Sequence, residues 1–257
     1  MLRTRVIPCL LLKGDGLVKT RKFGDPVYIG DPINAVRIFN AKEVDELVFL
    51  DIEASRNDTE PDYELVQNIA SEAFMPFAYG GGIRSVEQAL RLLALGVEKV
   101  ILNTHAAQSA DLVTQIAQAA GSQSVVVSMD VKRDFLGRHH VYTKGGKQRV
   151  SSNPIDYAKR MEQAGAGELM LTAIDREGTL SGYDLRLIET ISQAVSIPLI
   201  ANGGAGNLTH LREARLAGAS AVAAGSMFVF HGKHRAVLIT YPRYSELEAL
   251  FSDSPPA

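Results

Sequence analysis

The run Pro76-Phe77-Ala78-Tyr79-Gly80-Gly81-Gly82 is a short apolar stretch that ends in three glycines, and residues 198–204 repeat the pattern 122 positions later. Other short apolar runs recur along the chain, separated by longer amphipathic stretches. The strand candidates are residues 6–12, 46–52, 77–79, 99–102, 124–131, 168–172, 199–201 and 221–224. Buried strands that alternate with helices form a parallel sheet, and eight such units in 257 residues favour closure. The sequence therefore predicts an α/β fold, a single (β/α)8 TIM barrel over residues 1–257.

The repeat indicates that this barrel consists of two similar halves. Glu46-Leu47 returns as Glu168-Leu169 and Gly96 returns as Gly218, at the same separation of 122 residues. A constant separation across three consecutive strand–helix units is hard to produce by chance. Because the period is about half the chain, it predicts a doubled half-barrel rather than a solenoid, with halves at about residues 1–120 and 121–245.

Composition limits the class of protein. The chain has 27 basic and 29 acidic residues, and a net charge of −2 gives no reason to expect nucleic acid or a membrane as a partner. Cys9 is the only cysteine, so no intrachain disulfide can form, which fits a reducing cytoplasm. The first apolar run, interrupted by Lys13, Asp15 and Lys19, is too short and too charged for a signal peptide or a membrane span. We expect a cytoplasmic protein.

Two glycine-rich turns follow predicted strands, and each is followed one unit later by a small polar pair. Glycine lets the backbone bend sharply and brings bare N–H groups within reach of an anion. The alternative is a plain tight turn, but the symmetric recurrence favours two phosphate sites and a long substrate with a phosphate at each end. The predicted phosphate-binding residues are Gly81, Gly82, Asn103, Thr104, Gly203, Gly204, Gly225 and Ser226.

Three aspartates, Asp51, Asp130 and Asp175, stand at or just after the ends of predicted strands. A carboxylate is costly to bury, so at the top of a barrel strand it usually serves as a general acid or base, or accepts a substrate hydroxyl. An ion pair inside the barrel is the alternative. In the repeat, the counterpart of Asp130 is Leu11, which cannot move a proton. Acid–base chemistry by paired carboxylates would require aspartate at both positions.

Four charged residues, Arg5, Glu46, Lys99 and Glu168, stand near the starts of strands one, two, four and six. These starts ring the opposite mouth of the barrel, so the four side chains could form a closed salt-bridge ring. From the residues alone, a stabilising plug is the simplest interpretation.

The remaining candidate residues give weaker indications of a functional role. Lys19 lies in a long segment between Gly14 and Asp31 and is either a phosphate clamp or a solvated charge; a loop of that length suggests a mobile lid over the active face. Cys9 has no catalytic histidine at suggestive spacing and is expected in the core. The six histidines lack metal-ligand spacing, so we infer neither a metal nor a cofactor.

Residues 5–228, approximately, resemble the cyclase (synthase) subunit of imidazole glycerol phosphate synthase, the two-subunit amidotransferase of histidine biosynthesis. The most specific segments are Ile174-Asp175-Arg176-Glu177-Gly178-Thr179 and Ser181-Gly182-Tyr183-Asp184. Further matching segments are Cys9-Leu10, Gly30-Asp31-Pro32, Asn103-Thr104 and residues 46–55, 80–83, 121–130 and 203–206.

The resemblance implies a glutaminase partner docked at the bottom of the barrel. Ammonia then passes up the barrel core through a charged gate, which falls on Arg5, Glu46, Lys99 and Glu168 and replaces the plug interpretation. Two aspartates carry the lyase and cyclase chemistry in the family. The second falls on Asp130, whereas the first falls on Leu11.

The resemblance also assigns substrate contacts. Lys19, Asp51, Thr172 and Asp175 match positions that touch substrate in the family, while Asn202 replaces the usual small serine.

Leu11 and residues 232–242 both depart from the histidine-pathway pattern. They resemble a paralogue group found with surface-polysaccharide genes, in which this subunit and its glutaminase supply ammonia for amidation of a nucleotide-linked sugar. A genuine histidine-pathway cyclase subunit is the alternative within the class. Two alternatives belong to other classes of function. One is a non-catalytic ammonia conduit that activates the glutaminase, and the other is a sugar-phosphate isomerase. Leu11 and the charged gate count against the isomerase.

Overall fold

The computed structural model describes residues 4–252 and confirms a closed eight-stranded parallel barrel. The two ends of the predicted domain, residues 1–3 and 253–257, lie outside the described part. The strands are β1 (Arg5–Lys13), β2 (Gly16–Arg21), β3 (Gly24–Gly30), β4 (Leu47–Asp51), β5 (Phe77–Gly80), β6 (Lys99–Leu102), β7 (Val125–Arg133), β8 (His139–Thr143), β9 (Gln148–Ser151), β10 (Glu168–Ala173), β11 (Leu199–Asn202), β12 (Ala221–Ala224), β13 (Phe230–His231) and β14 (Ala236–Val237).

Helices connect the barrel strands and cover their outer face. They are α1 (Pro32–Asn40), α2 (Ala54–Asn57), α3 (Tyr63–Glu72), α4 (Val86–Ala94), α5 (Thr104–Gln108), α6 (Ala110–Ala120), α7 (Pro154–Gln163), α8 (Leu185–Ser192), α9 (Leu208–Leu216), α10 (Ser226–Val229) and α11 (Tyr244–Phe251), with a short 3-10 turn at Ser122–Ser124. None of the described helices is long and apolar enough to cross a membrane.

The barrel strands follow one another as β1, β4, β5, β6, β7, β10, β11 and β12, and β12 pairs with β1 to close the ring. All eight pairings are parallel. The strands read as continuous Val, Ile, Leu and Ala runs because both of their faces are buried. One apolar cluster fills the barrel interior and a larger one lies between strands and helices.

The helix caps follow the same spacing as the sequence repeat. Asp31 and Asn153 each cap a helix that begins with proline, Asp62 and Asp184 each accept a hydrogen bond from the third residue on, and Ser85 pairs with Asn207 in the same way. Each pair is 122 residues apart, so the caps that begin the helices recur in both halves of the barrel.

The segment between Gly14 and Asp31 is not the irregular loop expected from the sequence. It forms an antiparallel hairpin of β2 and β3, with β2 also pairing with β1. Its tip uses Lys22 and Phe23 at positive φ instead of the Asn-Gly or Asp-Gly pair that signals a tight hairpin, so the turn was not recognisable. Strands β8 and β9 form the matching hairpin after β7.

Candidate active site

A cavity opens at the carboxyl ends of the barrel strands, and it brings together most of the side chains predicted from the sequence. The predicted residues that line it are Leu11, Lys19, Asp51, Gly81, Gly82, Asn103, Thr104, Asp130, Thr172, Gly203, Gly204, Gly225 and Ser226. Asp175 does not line it, and its carboxylate accepts a 2.8 Å hydrogen bond from the backbone N–H of Arg133. The cavity therefore unites residues from both halves of the barrel.

Asp130 is a buried carboxyl on β7 with two neutral partners. The Ser128 hydroxyl donates to its Oδ1 at 3.4 Å and the Asn103 amide donates to its Oδ2 at 3.2 Å. Burial raises the pKa of Asp130 to about 7, although both hydrogen bonds act in the opposite direction. A carboxyl with such a pKa can both accept and donate a proton near neutral pH.

Leu11 holds the corresponding place on β1. Leu11 pairs with Leu50 on β4, as Asp130 pairs with Thr172 on β10, and Leu50 and Thr172 are 122 residues apart. Leu11, Leu50 and Val18 belong to the apolar cluster of the barrel interior. One wall of the cavity is therefore apolar, whereas the wall around Asp130 is polar.

Lys19 is buried against the barrel rather than solvated, so that part of the expectation is wrong. Its Nζ donates to the backbone oxygen of Cys9 at 3.3 Å. A Cβ on Gly225 would lie 1.9 Å from the same Nζ, so glycine at 225 makes room for the ammonium group. Lys19 thus places a positive charge in the cavity wall beside Gly225-Ser226.

The glycine turns have a packing role as well as a place in the cavity wall. A Cβ on Gly81 would come within 2.6 Å of Asp51, and one on Gly204 within 2.2 Å of the Gly182 oxygen. Both residues have positive φ. The tight-turn interpretation is therefore correct as far as it goes, and the same turns line the cavity.

Two hydroxyls in the cavity wall have no hydrogen-bond partner among the described residues. They are Thr20 Oγ1 and Ser226 Oγ, and both residues are buried. Since a buried hydroxyl without a partner costs free energy, these atoms are suited to bind a polar ligand.

Asp51 and Thr172 are fixed by local hydrogen bonds. The Asp51 Oδ1 accepts the backbone N–H groups of Glu53 and Ala54, both at 2.9 Å. Burial raises the Asp51 pKa, and these two N–H groups oppose the rise. The Thr172 hydroxyl oxygen accepts the Asn202 amide at 3.1 Å.

Glu177 and Arg56 are among the cavity residues that the sequence did not single out. Glu177 is buried, and its Oε2 accepts the backbone N–H of Phe23 at 3.1 Å, which holds the tip of the β2–β3 hairpin. The Arg56 guanidinium donates a hydrogen bond to the backbone oxygen of Gly145 at 3.3 Å. The repeat contains a signal for this region, since Ser55-Arg56 stands 122 residues before Glu177-Gly178.

The four charged residues at the strand starts form a ring at the other mouth. Arg5 hydrogen-bonds both Glu46 and Glu168, and the Lys99 Nζ lies 3.4 Å from Glu46 and 3.1 Å from Glu168. Both glutamates are buried. Burial by itself would lower the Arg5 pKa, but the carboxylates of Glu168 and Glu46 raise it above its usual value. The ring therefore alternates base and acid around the barrel axis.

Within residues 4–252, no group of three or more His, Cys, Asp or Glu side chains is placed to hold a metal ion.

Comparison with known proteins places this architecture in a family. A sequence profile described as histidine biosynthesis protein matches residues 5–235. The chain belongs to the histidine biosynthesis protein family. Relatives with similar sequences are named as subunit HisF of imidazole glycerol phosphate synthase, some of them provisionally.

Three relatives show the range of similarity within this family. A Pseudomonas aeruginosa protein provisionally named imidazole glycerol phosphate synthase subunit hisF2 is 53% identical over 96% of this chain and 99% of its own length. A Vibrio vulnificus protein, provisionally named subunit hisF3, is 48% identical over 96% of this chain and 95% of its own length. The imidazole glycerol phosphate synthase subunit HisF of Alkaliphilus metalliredigens, whose name is not provisional, is 42% identical over 90% of this chain and 92% of its own length. The histidine biosynthesis family therefore accounts for nearly the whole barrel.

Proposed function

We propose that this chain is the synthase-type subunit of a glutamine amidotransferase complex. A glutaminase docks at the N-terminal mouth of the barrel and releases ammonia there. Ammonia passes the ring of Arg5, Glu46, Lys99 and Glu168 and travels through the barrel interior. It reaches a phosphorylated substrate in the cavity at the C-terminal end.

The observation that carries this proposal is the combination of an intact charged ring at one mouth with a polar cavity at the other. Buried ion pairs add little net stability compared with apolar packing, because taking the charges out of water is expensive. A ring of four charged residues is therefore a poor plug. Its place on the axis below an apolar interior fits a gate that admits a small neutral molecule.

We further propose that the ammonia serves amidation of a nucleotide-linked sugar for a surface polysaccharide. Leu11 supports this, because it removes one of the two carboxylates that imidazole ring closure uses. The segment after α10 supports it as well: β13 and β14 form a small separate sheet, and β14 lies beyond the stretch matched by the family profile. The chain is also more similar to the two provisionally named relatives than to the HisF of Alkaliphilus metalliredigens.

A histidine-pathway cyclase is the second candidate. Asp130 favours it, since a buried carboxyl with two hydrogen-bond donors is retained at the position of the family's second aspartate. The non-catalytic conduit belongs to a different class: it only activates the glutaminase and passes ammonia to a third protein that holds the acceptor. Turnover of the purified pair with and without that third protein separates the conduit from the first proposal.

The test of the complex uses each candidate glutaminase from the same genome, mixed with this chain in equal amounts and analysed by size-exclusion chromatography with light scattering. We expect a one-to-one complex with one of them. Phe74, 88% exposed at the N-terminal end of the barrel, supplies a contact residue for the proposed face, and Phe74→Ser should weaken the complex by about tenfold or more.

Phe135→Ser is the matched control, because Phe135 is 93% exposed at the opposite end, beyond the end of β7. It should leave the affinity unchanged. If none of these glutaminases associates with the chain at micromolar concentration, or if only Phe135→Ser weakens the complex, the proposed docking is wrong.

A further inference from the structure

The two ends of the cavity differ in charge at equivalent positions of the repeat. Arg56 lines the cavity beside Gly81-Gly82, whereas the residue 122 positions later is Gly178. Gly178 lies under the β2–β3 hairpin, and a Cβ there would come within 2.3 Å of the Thr20 oxygen. The second end is therefore covered by the hairpin, while the first end carries an exposed guanidinium.

Arg56 and Thr104 are joined by a single turn of the chain. The backbone N–H of Lys144 approaches the Thr104 hydroxyl at 3.4 Å, and the next residue, Gly145, accepts the Arg56 hydrogen bond. The guanidinium packs so closely on Gly145 that a Cβ there would lie 2.1 Å from it. Arg56 is thus held next to Thr104, one of the residues predicted to bind phosphate.

The guanidinium keeps most of its hydrogen-bonding capacity. It has five N–H donors, and one of them is used by Gly145. Among the described residues, no carboxylate forms a salt bridge with Arg56; the nearby Asp58 and Glu60 pair with Arg84 instead. Lys144 adds a second exposed positive charge on the same turn.

We propose that the first end of the cavity is a diphosphate site. One phosphoryl group lies on Gly81-Gly82 and Asn103-Thr104, and Arg56 receives the second by a forked, charge-assisted pair of hydrogen bonds. The covered second end takes no more than a single phosphoryl group. This deepens the proposed function, on which it rests, because a sugar linked to a nucleoside diphosphate carries a diphosphate whereas a sugar phosphate does not.

The test is calorimetric titration of the purified chain at low salt with inorganic phosphate and with inorganic pyrophosphate. The unaltered protein should bind pyrophosphate about tenfold or more tightly than phosphate. Arg56→Ala should lower the affinity for pyrophosphate by at least about fivefold and change that for phosphate by less than about twofold. Thr104→Val should weaken both anions equally, because both use the hydroxyl.

Two further variants make the result specific. Arg56→Lys keeps the charge but loses the fork, so it should show part of the loss. Arg186→Ala removes one exposed charge on α8 outside the cavity and should change neither affinity. The inference is wrong if pyrophosphate has no advantage in the unaltered protein, or if Arg56→Ala weakens both anions equally or neither. Neither glutaminase nor ammonia is present, so such a failure would leave the proposed ammonia transfer intact.

Discussion

At the residue scale, Asp130 carries a measurable consequence of its burial. Its pKa of about 7 lies well above the value of about 4 in an unfolded chain. A raised carboxyl pKa means that the ionised form destabilises the fold. The penalty is absent below about pH 4, grows as pH rises towards 7, and is complete above it.

Asp130→Asn should remove that penalty. The variant's advantage in free energy of unfolding over the unaltered protein should increase by about 1–3 kcal/mol between pH 4 and pH 8, measured by urea unfolding across this range. If the free energy of unfolding of the two proteins changed with pH in parallel, Asp130 would ionise without cost. Burial would then not raise its pKa.

Replacement of Arg5 tests how strongly the four charges of the ring contribute to stability. Arg5→Ala leaves the side chains of Glu46 and Glu168, 4% and 6% exposed, with Lys99 as their one remaining cation of the ring. Uncompensated buried charge should lower the free energy of unfolding by about 3–5 kcal/mol.

Arg37→Ala is the control, because it breaks a solvent-exposed ion pair with Glu72 and should cost far less stability than Arg5→Ala. If the two variants lost the same free energy of unfolding, the charges of the ring would interact no more strongly than those of an exposed ion pair.

At the element scale, the β2–β3 hairpin depends on Gly178. Gly178 has φ +70°, and a Cβ would displace the hairpin through the Thr20 oxygen. Gly178→Ala should therefore raise the rate of tryptic cleavage at Arg21 and Lys22 by about tenfold or more, since a few kcal/mol controls such local opening. Cleavage at these two sites is followed by mass spectrometry.

Gly232→Ala is matched to this variant in backbone strain. Gly232 has φ +69° with no atom within 4 Å of an added Cβ, so it shares the conformation without the clash. It should leave cleavage in the hairpin unchanged. Equal cleavage in both variants would show that the hairpin is not held through Gly178.

The same hairpin shows what sequence reasoning could not predict. Apolar runs and the 122-residue repeat predicted the eight barrel strands because those strands are buried on both faces. In β3 the residues from Asp25 to Tyr28 are exposed and Ile29 is buried, so the second hairpin strand lacks the alternation of buried and exposed residues that would mark it. Its turn at Lys22 and Phe23 is stabilised from outside, by Glu177, which no local pattern reveals.

The loop after β10 gives a second example. Asp175 follows the strand directly and matches a substrate position in the family, yet Glu177 is the acid that lines the cavity. The chain turns here because the N–H groups of Arg176 and Glu177 both bond the Ala173 oxygen. Spacing along the sequence therefore places an acid near the cavity but cannot decide which one faces it.

At the scale of the whole molecule, the two halves share caps, turns and hairpins but differ in what they present to the cavity. The second half contributes Asp130 and Thr172, where the first contributes Leu11 and Leu50. The repeat in the sequence predicted this contrast at Leu11. It does not reveal the contrast between Arg56 and Gly178, because the cover over Gly178 comes from the β2–β3 hairpin, which the sequence pattern does not show.

We propose that this barrel passes ammonia on without closing an imidazole ring, because Leu11 falls on the position at which the family resemblance implies a proton-carrying aspartate. The direct measurement is turnover of the phosphoribulosyl formimino carboxamide ribonucleotide with excess ammonium salt, followed as loss of substrate absorbance, which bypasses the glutaminase. We expect negligible turnover by the unaltered chain and a gain on the order of 10²-fold in Leu11→Asp, since Asp130 and both glycine turns remain. Leu11→Asn, with a similar shape but no proton to transfer, should show no gain. Turnover by the unaltered chain within about tenfold of a typical rate of roughly 1–10 per second would contradict the account.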